Sequence, residues 1–291
     1  MAVEESVFNS KKDMPLILRI TKKLYPILEK LLTKQAHIWA VDKFSTPFHF
    51  PPKSKELGLL DSAELYSHSY KAQDVQVYEW NRGADKSVLL SHGWSGRGGQ
   101  FWALIPQLVN AGFHVVTYDA LAHGRSAGKK THLWDFQKII EQLSIRNKGF
   151  HYIIGHSLGG VAGALALKNR AKAKGLITIN SPSISKEMIE SFVSTINGSE
   201  SLVKYFRTYI EDNFGVTLEE YELLNVVPQL LKAEIEVSII ADKDDRDVPF
   251  RHSEVLKSQN PSIDSFFTQG YGHNKLLGNQ EMIDFVLAKL I

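Results

Sequence analysis

What most constrains this chain is an alternation that begins near residue 88. Short runs rich in β-branched and aromatic residues, at 88–91, 114–118, 152–154, 176–180, 237–241 and 265–268, alternate with longer segments. Five of those segments, 100–110, 131–147, 158–172, 251–258 and 277–291, have helical length. A strand followed by a helical crossover returns parallel to itself, so the pattern demands a parallel sheet with helices on both faces. Two earlier runs, 64–69 and 75–80, lack a helix between them and are expected to form an antiparallel hairpin at one edge. The fold class is therefore α/β, with an eight-stranded, mostly parallel sheet.

Two regions fall outside the alternation. Between 180 and 237 lie about 55 residues, too many for a structureless loop. Helical stretches at 186–196, 201–214 and 218–224 predict a small helical insertion after the sixth strand. Near the start, Ile17, Ile20, Leu24, Ile27, Leu28 and Leu31 share one stripe of a helix that Pro26 should kink or split. Residues 44–58, with Pro47, Pro51, Pro52 and Gly58, read as an extended connection. Between 11 and 34, seven basic residues (Lys11, Lys12, Arg19, Lys22, Lys23, Lys30 and Lys34) meet only Asp13 and Glu29. Such a helix can lie on an anionic membrane surface, but the plainer reading packs it against the sheet domain.

Composition removes several function classes. With no cysteine, thiol nucleophiles, disulfide frameworks and cysteine-bound zinc are excluded. A formal charge of +2 gives no reason to expect a nucleic-acid partner. The apolar stretch 14–32 carries Arg19, Lys22, Lys23, Glu29 and Lys30, so no transmembrane segment is expected. The opening Met-Ala-Val-Glu-Glu is acidic where a signal peptide is basic, and the expected location is intracellular, in the cytoplasm.

The chemistry is concentrated in Gly155-His156-Ser157-Leu158-Gly159, which follows a strand and opens a helix. In that context G-x-S-x-G is a nucleophile elbow: the strained turn exposes Ser157 Oγ at the helix N-terminus, and the two glycines let strand and helix approach closely. Backbone N–H groups and the helix dipole there favour developing negative charge.

With that motif the sequence resembles the α/β-hydrolase superfamily, and further segments match in the family's order. Ser91-His-Gly-Trp94 is similar to its oxyanion loop, which implies Trp94 N–H and Leu158 N–H as oxyanion donors. Asp119-Ala-Leu-Ala-His123-Gly-Arg-Ser126 is similar to a segment that is architectural in the family, so Asp119 and His123 are expected to be structural. After 237–241 comes Asp242-Lys-Asp-Asp-Arg-Asp-Val-Pro249. The family's Asp four residues before a Pro selects Asp245 as the triad acid, with Asp244 and Asp242 as alternatives and Asp247 as a helix cap or a solvated side chain. No carboxylate occupies the other place the family uses, at Asn180-Ser181-Pro182. Gly270-Tyr271-Gly272-His273-Asn274 resembles the family's histidine loop, with His273 as general base.

The resemblance implies a division into an N-terminal helix and connection (1–58), a hydrolase domain (59–182 and 229–291) and a cap (183–228) whose apolar residues can line an acyl pocket. It implies a serine esterase of the lipase-like kind, acting on a small-molecule acyl substrate through an acyl-enzyme, with no cofactor and no metal. A serine at the elbow disfavours the aspartate-dependent epoxide hydrolases and haloalkane dehalogenases. Alternatives are hydrolysis of a thioester, amide or C–C bond, or a non-catalytic ligand-binding role.

Overall fold

The computed structural model describes residues 16–291, with side chains from residue 18. Lys11, Lys12 and Asp13 of the basic segment, and the side chain of Ile17, lie outside the described residues. In chain order the first elements are α1 (Leu16–Leu31), α2 (Thr33–Phe44), α3 (Ser54–Leu60), β1 (Glu64–Tyr70), β2 (Gln73–Trp80), β3 (Ser87–Ser91), α4 (Leu104–Asn110), β4 (His114–Tyr118) and α5 (Leu133–Arg146). There follow β5 (Phe150–His156), α6 (Leu158–Asn169), β6 (Ala173–Ile179), α7 (Ser185–Thr195), α8 (Glu200–Phe214) and α9 (Leu223–Lys232). The chain closes with β7 (Glu236–Asp242), α10 (Arg251–Gln259), β8 (Asp264–Thr268), α11 (Gly272–Lys275) and α12 (Gln280–Leu290).

The eight strands form one sheet in the order β1-β2-β4-β3-β5-β6-β7-β8. β1 and β2 make the antiparallel edge hairpin, β2 also runs antiparallel to β4, and the pairs from β3 to β8 are parallel. Val88, Leu90, Tyr152 and Ile154 join Leu104 of α4 and Val286 of α12 in one buried cluster. Leu89, Ile153, Leu176 and Ile239 alternate with such residues along the strands and are buried too, so both faces are covered, as a parallel sheet requires.

Contacts divide the chain into two compact units: the N-terminal helices to Ser45 with Ile184–Glu222, and Thr46–Ser183 with Leu223–Ile291. This differs from the division read from sequence in three ways. The N-terminal helices join the insertion in one unit instead of the sheet domain. There, Tyr25, Ala36, Ala40, Leu202, Phe206 and Ile210 are buried, and Phe44 meets Phe192 and Phe206 edge-on at 5.0 and 5.1 Å. The sheet unit resumes at Leu223 instead of 229, because α9 buries Leu223, Val226, Val227 and Leu230 there. Finally, residues 46–58 belong to the sheet unit and not to the N-terminal segment, and the expected extended connection gives way to helix at 54–60, with Pro51 and Pro52 in the approach and Gly58 tolerated within α3.

Pro26 does not split the first helix. α1 runs through it, and the break comes at Leu32 (φ −138°, ψ 56°). A proline at position 26 cannot donate to the carbonyl four residues back, that of Lys22. The Asn197 side chain supplies the missing donor, Nδ2 to Lys22 O at 3.1 Å.

Candidate active site

The loops after β3, β5, β7 and β8 gather at the carboxyl edge of the parallel strands, where open α/β sheets place their sites. β5 ends at His156, α6 starts at Leu158, and Ser157 alone makes the turn with φ 53° and ψ −123°. A non-glycine residue held at positive φ is strained backbone. The surrounding packing enforces it. A Cβ on Gly155 would lie 2.3 Å from Gly160 N, and one on Gly159 would lie 2.2 Å from Ser91 O. Ser157 N donates to Ile179 O at 2.8 Å, which ties the turn to β6.

The loop after β3 is equally close. A Cβ on Gly93 would sit 2.9 Å from Ser157 Cβ, so residue 93 must be small for this loop to lie against the elbow. Buried histidines fix the loop from behind. Ala120 N donates to His92 Nε2 and Ser95 N to His123 Nε2, both at 2.9 Å. Accepting through Nε2 requires neutral rings. Burial lowers His92 to about 4, and burial with the neighbouring His92 lowers His123 to about 3. Asp119 accepts from Gly98 N, Tyr78 Oη and Arg125 N, each at 2.8 Å. Asp119 and His123 thus hold backbone in place. Among the described residues, Trp94 N–H and Leu158 N–H donate no hydrogen bond.

Of the carboxylates after β7, Asp245 is the one that reaches the histidine. Its Oδ2 accepts from His273 Nδ1 at 2.7 Å, and its Oδ1 accepts from Asp247 N and Val248 N at 2.8 and 2.9 Å. The Asp245 side chain is 1% exposed and that of His273 12%. Asp247 does not cap α10, whose N-cap is Phe250; its exposed carboxylate lies near the pair. Asp245, Asp247 and His273 are close enough to hold a cation. The fit is poor, since both Asp245 oxygens already accept N–H groups and His273 Nδ1 faces Asp245 as a donor.

Asp242 has a different task, which the sequence did not disclose. Its Oδ1 accepts from Asp244 N and Gly272 N at 3.0 and 2.9 Å, and its Oδ2 from Thr268 Oγ1 and Tyr271 N at 2.7 and 3.1 Å. One carboxylate therefore ties the acid loop to the histidine loop. Burial pushes its pKa up, but these four donors outweigh it and hold Asp242 below the ordinary carboxylate value. Asn180 completes the tie, accepting from Asp242 N at 2.9 Å and donating to His273 O at 3.0 Å. His156, beside the nucleophile, donates from Nε2 to the same His273 carbonyl at 2.9 Å. Burial, then the neighbouring His273, keep the His156 ring neutral, well below the usual histidine value. Ser157 Oγ and His273 make no direct hydrogen bond among the described residues; His156 is what joins their loops. A separate cavity of about 160 Å³, lined by Phe48, Tyr78, Arg97, Asp119, His123 and Arg125 among others, does not include Ser157.

Comparison with known proteins agrees with this architecture. A family model described as the alpha/beta hydrolase fold matches residues 86–222. A Yersinia enterocolitica protein provisionally named carbamate hydrolase RutD is 37% identical over 108 residues, covering 35% of this chain and 38% of its own. The chain thus matches less than two-fifths of that relative's length. Among solved structures, a carboxylesterase from Nitrososphaera gargenis superposes with a TM-score of 0.56 at 22% identity, covering 77% of this chain and 97% of that one. Est1E from Butyrivibrio proteoclasticus, solved with ferulic acid, gives 0.58 at 18% identity over 78% of this chain and 99% of that one. At these identities the two structures establish a shared fold.

Proposed function

Because the chain belongs to the α/β-hydrolase superfamily, we propose that it is a serine hydrolase that cleaves a carboxylic ester through an acyl-enzyme. The observation that most supports this is the 2.7 Å contact between His273 Nδ1 and Asp245 Oδ2, made by residues 28 apart at the edge that also carries the strained Ser157. A carboxylate acceptor holds the imidazole proton on Nδ1 and leaves the Nε2 lone pair as base. His273 Nε2 takes the Ser157 Oγ proton as Oγ bonds to the carbonyl carbon, and Asp245 stabilises the imidazolium that results. The oxyanion is received by Trp94 N–H and Leu158 N–H; one such donor is worth about 3–4 kcal/mol in a serine protease. The proton then passes from His273 to the leaving alcohol. Water, deprotonated by His273, hydrolyses the acyl-enzyme and regenerates Ser157. The bond from His273 Nε2 to Ser157 Oγ is of the kind that tightens when substrate is bound. In this reading the insertion after β6 is the family's cap.

Purified protein treated with a fluorophosphonate probe should be labelled at Ser157, as read by peptide mass mapping. Ser157→Ala should lose both the label and, by analogy with a comparable triad, about 10⁶-fold in kcat. Labelling elsewhere, or a Ser157→Ala protein that keeps roughly a tenth of the wild-type rate, overturns the reading. A second reading, hydrolysis of a carbamate, is favoured by the partial match to the protein provisionally named carbamate hydrolase. Matched esters and carbamates of one leaving group separate the two by their kcat/KM ratio.

A further inference from the structure

Helix α1 is attached by the wrong face. An amphipathic helix ordinarily turns its apolar stripe to its own core. Here Ile20, Leu24, Ile27 and Leu31, at steps of four, three and four residues, are 43–73% exposed. The same helix buries Tyr25 at 2% and the polar Glu29 at 8%. The attachment is specific. Glu29 accepts from Ser199 N at 3.0 Å and Ser199 Oγ at 2.9 Å, pairs with His37 Nε2 at 3.0 Å, and Asn197 holds the Lys22 carbonyl. With its polar side fixed in this way, α1 presents outward an apolar strip about 16 Å long, at 1.5 Å per residue. An exposed strip of this kind marks an interaction surface.

The charges beside the strip select its occupant. At 100° per residue, Arg19, Lys23 and Lys30 fall along one border of the stripe, and all three are exposed. The one acid between Leu16 and Leu31 is Glu29, which is buried and paired. A second copy docked on this face would bring in another basic border and no acidic row to meet it. Apolar side chains flanked by long cationic ones suit the boundary between acyl chains and anionic headgroups, where the cations reach outward to phosphate. We infer that α1 is a peripheral docking helix for anionic phospholipid bilayers, with Ile20, Leu24, Ile27 and Leu31 inserted and Arg19, Lys23 and Lys30 at the headgroups. The plainer sequence reading, a stripe packed inward, is reversed by the exposure of these four side chains.

The test is co-sedimentation of the full chain with vesicles of phosphatidylcholine alone or mixed with phosphatidylglycerol. The protein should pellet with the mixed vesicles, remain in solution with the neutral ones, and be released by salt. Leu24→Glu/Leu31→Glu should weaken binding by about tenfold or more because it sets charge among the acyl chains. Lys23→Glu/Lys30→Glu should weaken it by about tenfold or more because it turns attraction to the headgroups into repulsion. Both variants should keep the wild-type circular dichroism and thermal midpoint, which separates lost docking from lost fold. Equal pelleting with both vesicle types, no pelleting with either, or retention by the Leu24→Glu/Leu31→Glu protein overturns the inference. So does a wild-type dimer in sedimentation equilibrium that the leucine substitutions dissolve, which would give the face to a second copy. None of these readouts depends on Ser157, so the inference and the proposed activity can fail separately.

Discussion

The carboxyl edge of the sheet and helix α1 treat polarity in opposite ways. At the sheet edge, Asp119, Asp242 and Asp245 are buried, and each holds backbone N–H groups that would otherwise have no partner. At α1 the polar Glu29 is turned inward beside Tyr25, and an apolar stripe is left in water. The first arrangement costs desolvation and returns a fixed geometry, because a buried carboxylate accepting several donors admits one arrangement of the loops around it. The second leaves apolar surface unburied, which is recovered only by association. Burial of polar groups here marks where the molecule must be rigid, and exposure of apolar ones marks where it meets something else.

The sharpest way to break the first half of that contrast is within the acid loop. Asp245→Asn leaves a carbonyl or an amide facing His273 Nδ1 and allows the wrong tautomer, which lowered kcat about 10⁴-fold in a related triad. Asp244→Asn should leave kcat near wild type, since Asp244 is exposed and contributes its backbone N–H to Asp242. Steady-state kinetics on one ester decides it: equal losses in the two variants would remove Asp245 from the proposed triad.

Asp242 tests rigidity without touching the proposed chemistry. In Asp242→Asn one of the two oxygens becomes an NH₂ facing former donors, and stranding them should cost about 1–3 kcal/mol. The effect should depend on pH. The Asp242 pKa is lower folded than unfolded, so its stabilisation is complete above the unfolded value, near 3.9, and is lost as pH falls through the folded value. The wild type should therefore lose thermal stability on acidification below about pH 4 more steeply than Asp242→Asn. Parallel melting curves across that range would mean that the four hydrogen bonds do not stabilise the carboxylate.

How much of this was legible follows the same contrast. The strands, the elbow and the crossover helices were readable because their cause is local: alternation, a glycine pair, a serine at a helix start. Among four carboxylates in six positions, composition could not choose; only the resemblance singled out Asp245, and the contact that sets it apart is made with a loop 28 residues later. Asp242 and Asn180 were invisible as loop ties for the same reason, their partners lying up to 30 and 93 residues away. α3 carried a signal in Pro51-Pro52 followed by Leu57 and Leu60 at helical spacing, but the prolines read more strongly as a connection. For α1 the periodicity showed that an apolar face exists, not what covers it.

The smallest expected effect lies in the helical unit, where a proline and an asparagine 171 positions apart compensate each other. Asn197 sits at φ 55°, so alanine there would add backbone strain unrelated to the hydrogen bond, and glycine is the cleaner replacement. Asn197→Gly should destabilise by about 0.5–1 kcal/mol, a net value for one partly solvated hydrogen bond. In a Pro26→Ala background the Lys22 carbonyl regains the N–H of residue 26, and Asn197 has less left to do. A double-mutant cycle in thermal or urea unfolding should therefore give a coupling of about 0.5 kcal/mol or more between positions 26 and 197. Additive losses would show that α1 passes Pro26 without help from Asn197, and that its polar side is held by the Glu29 network alone.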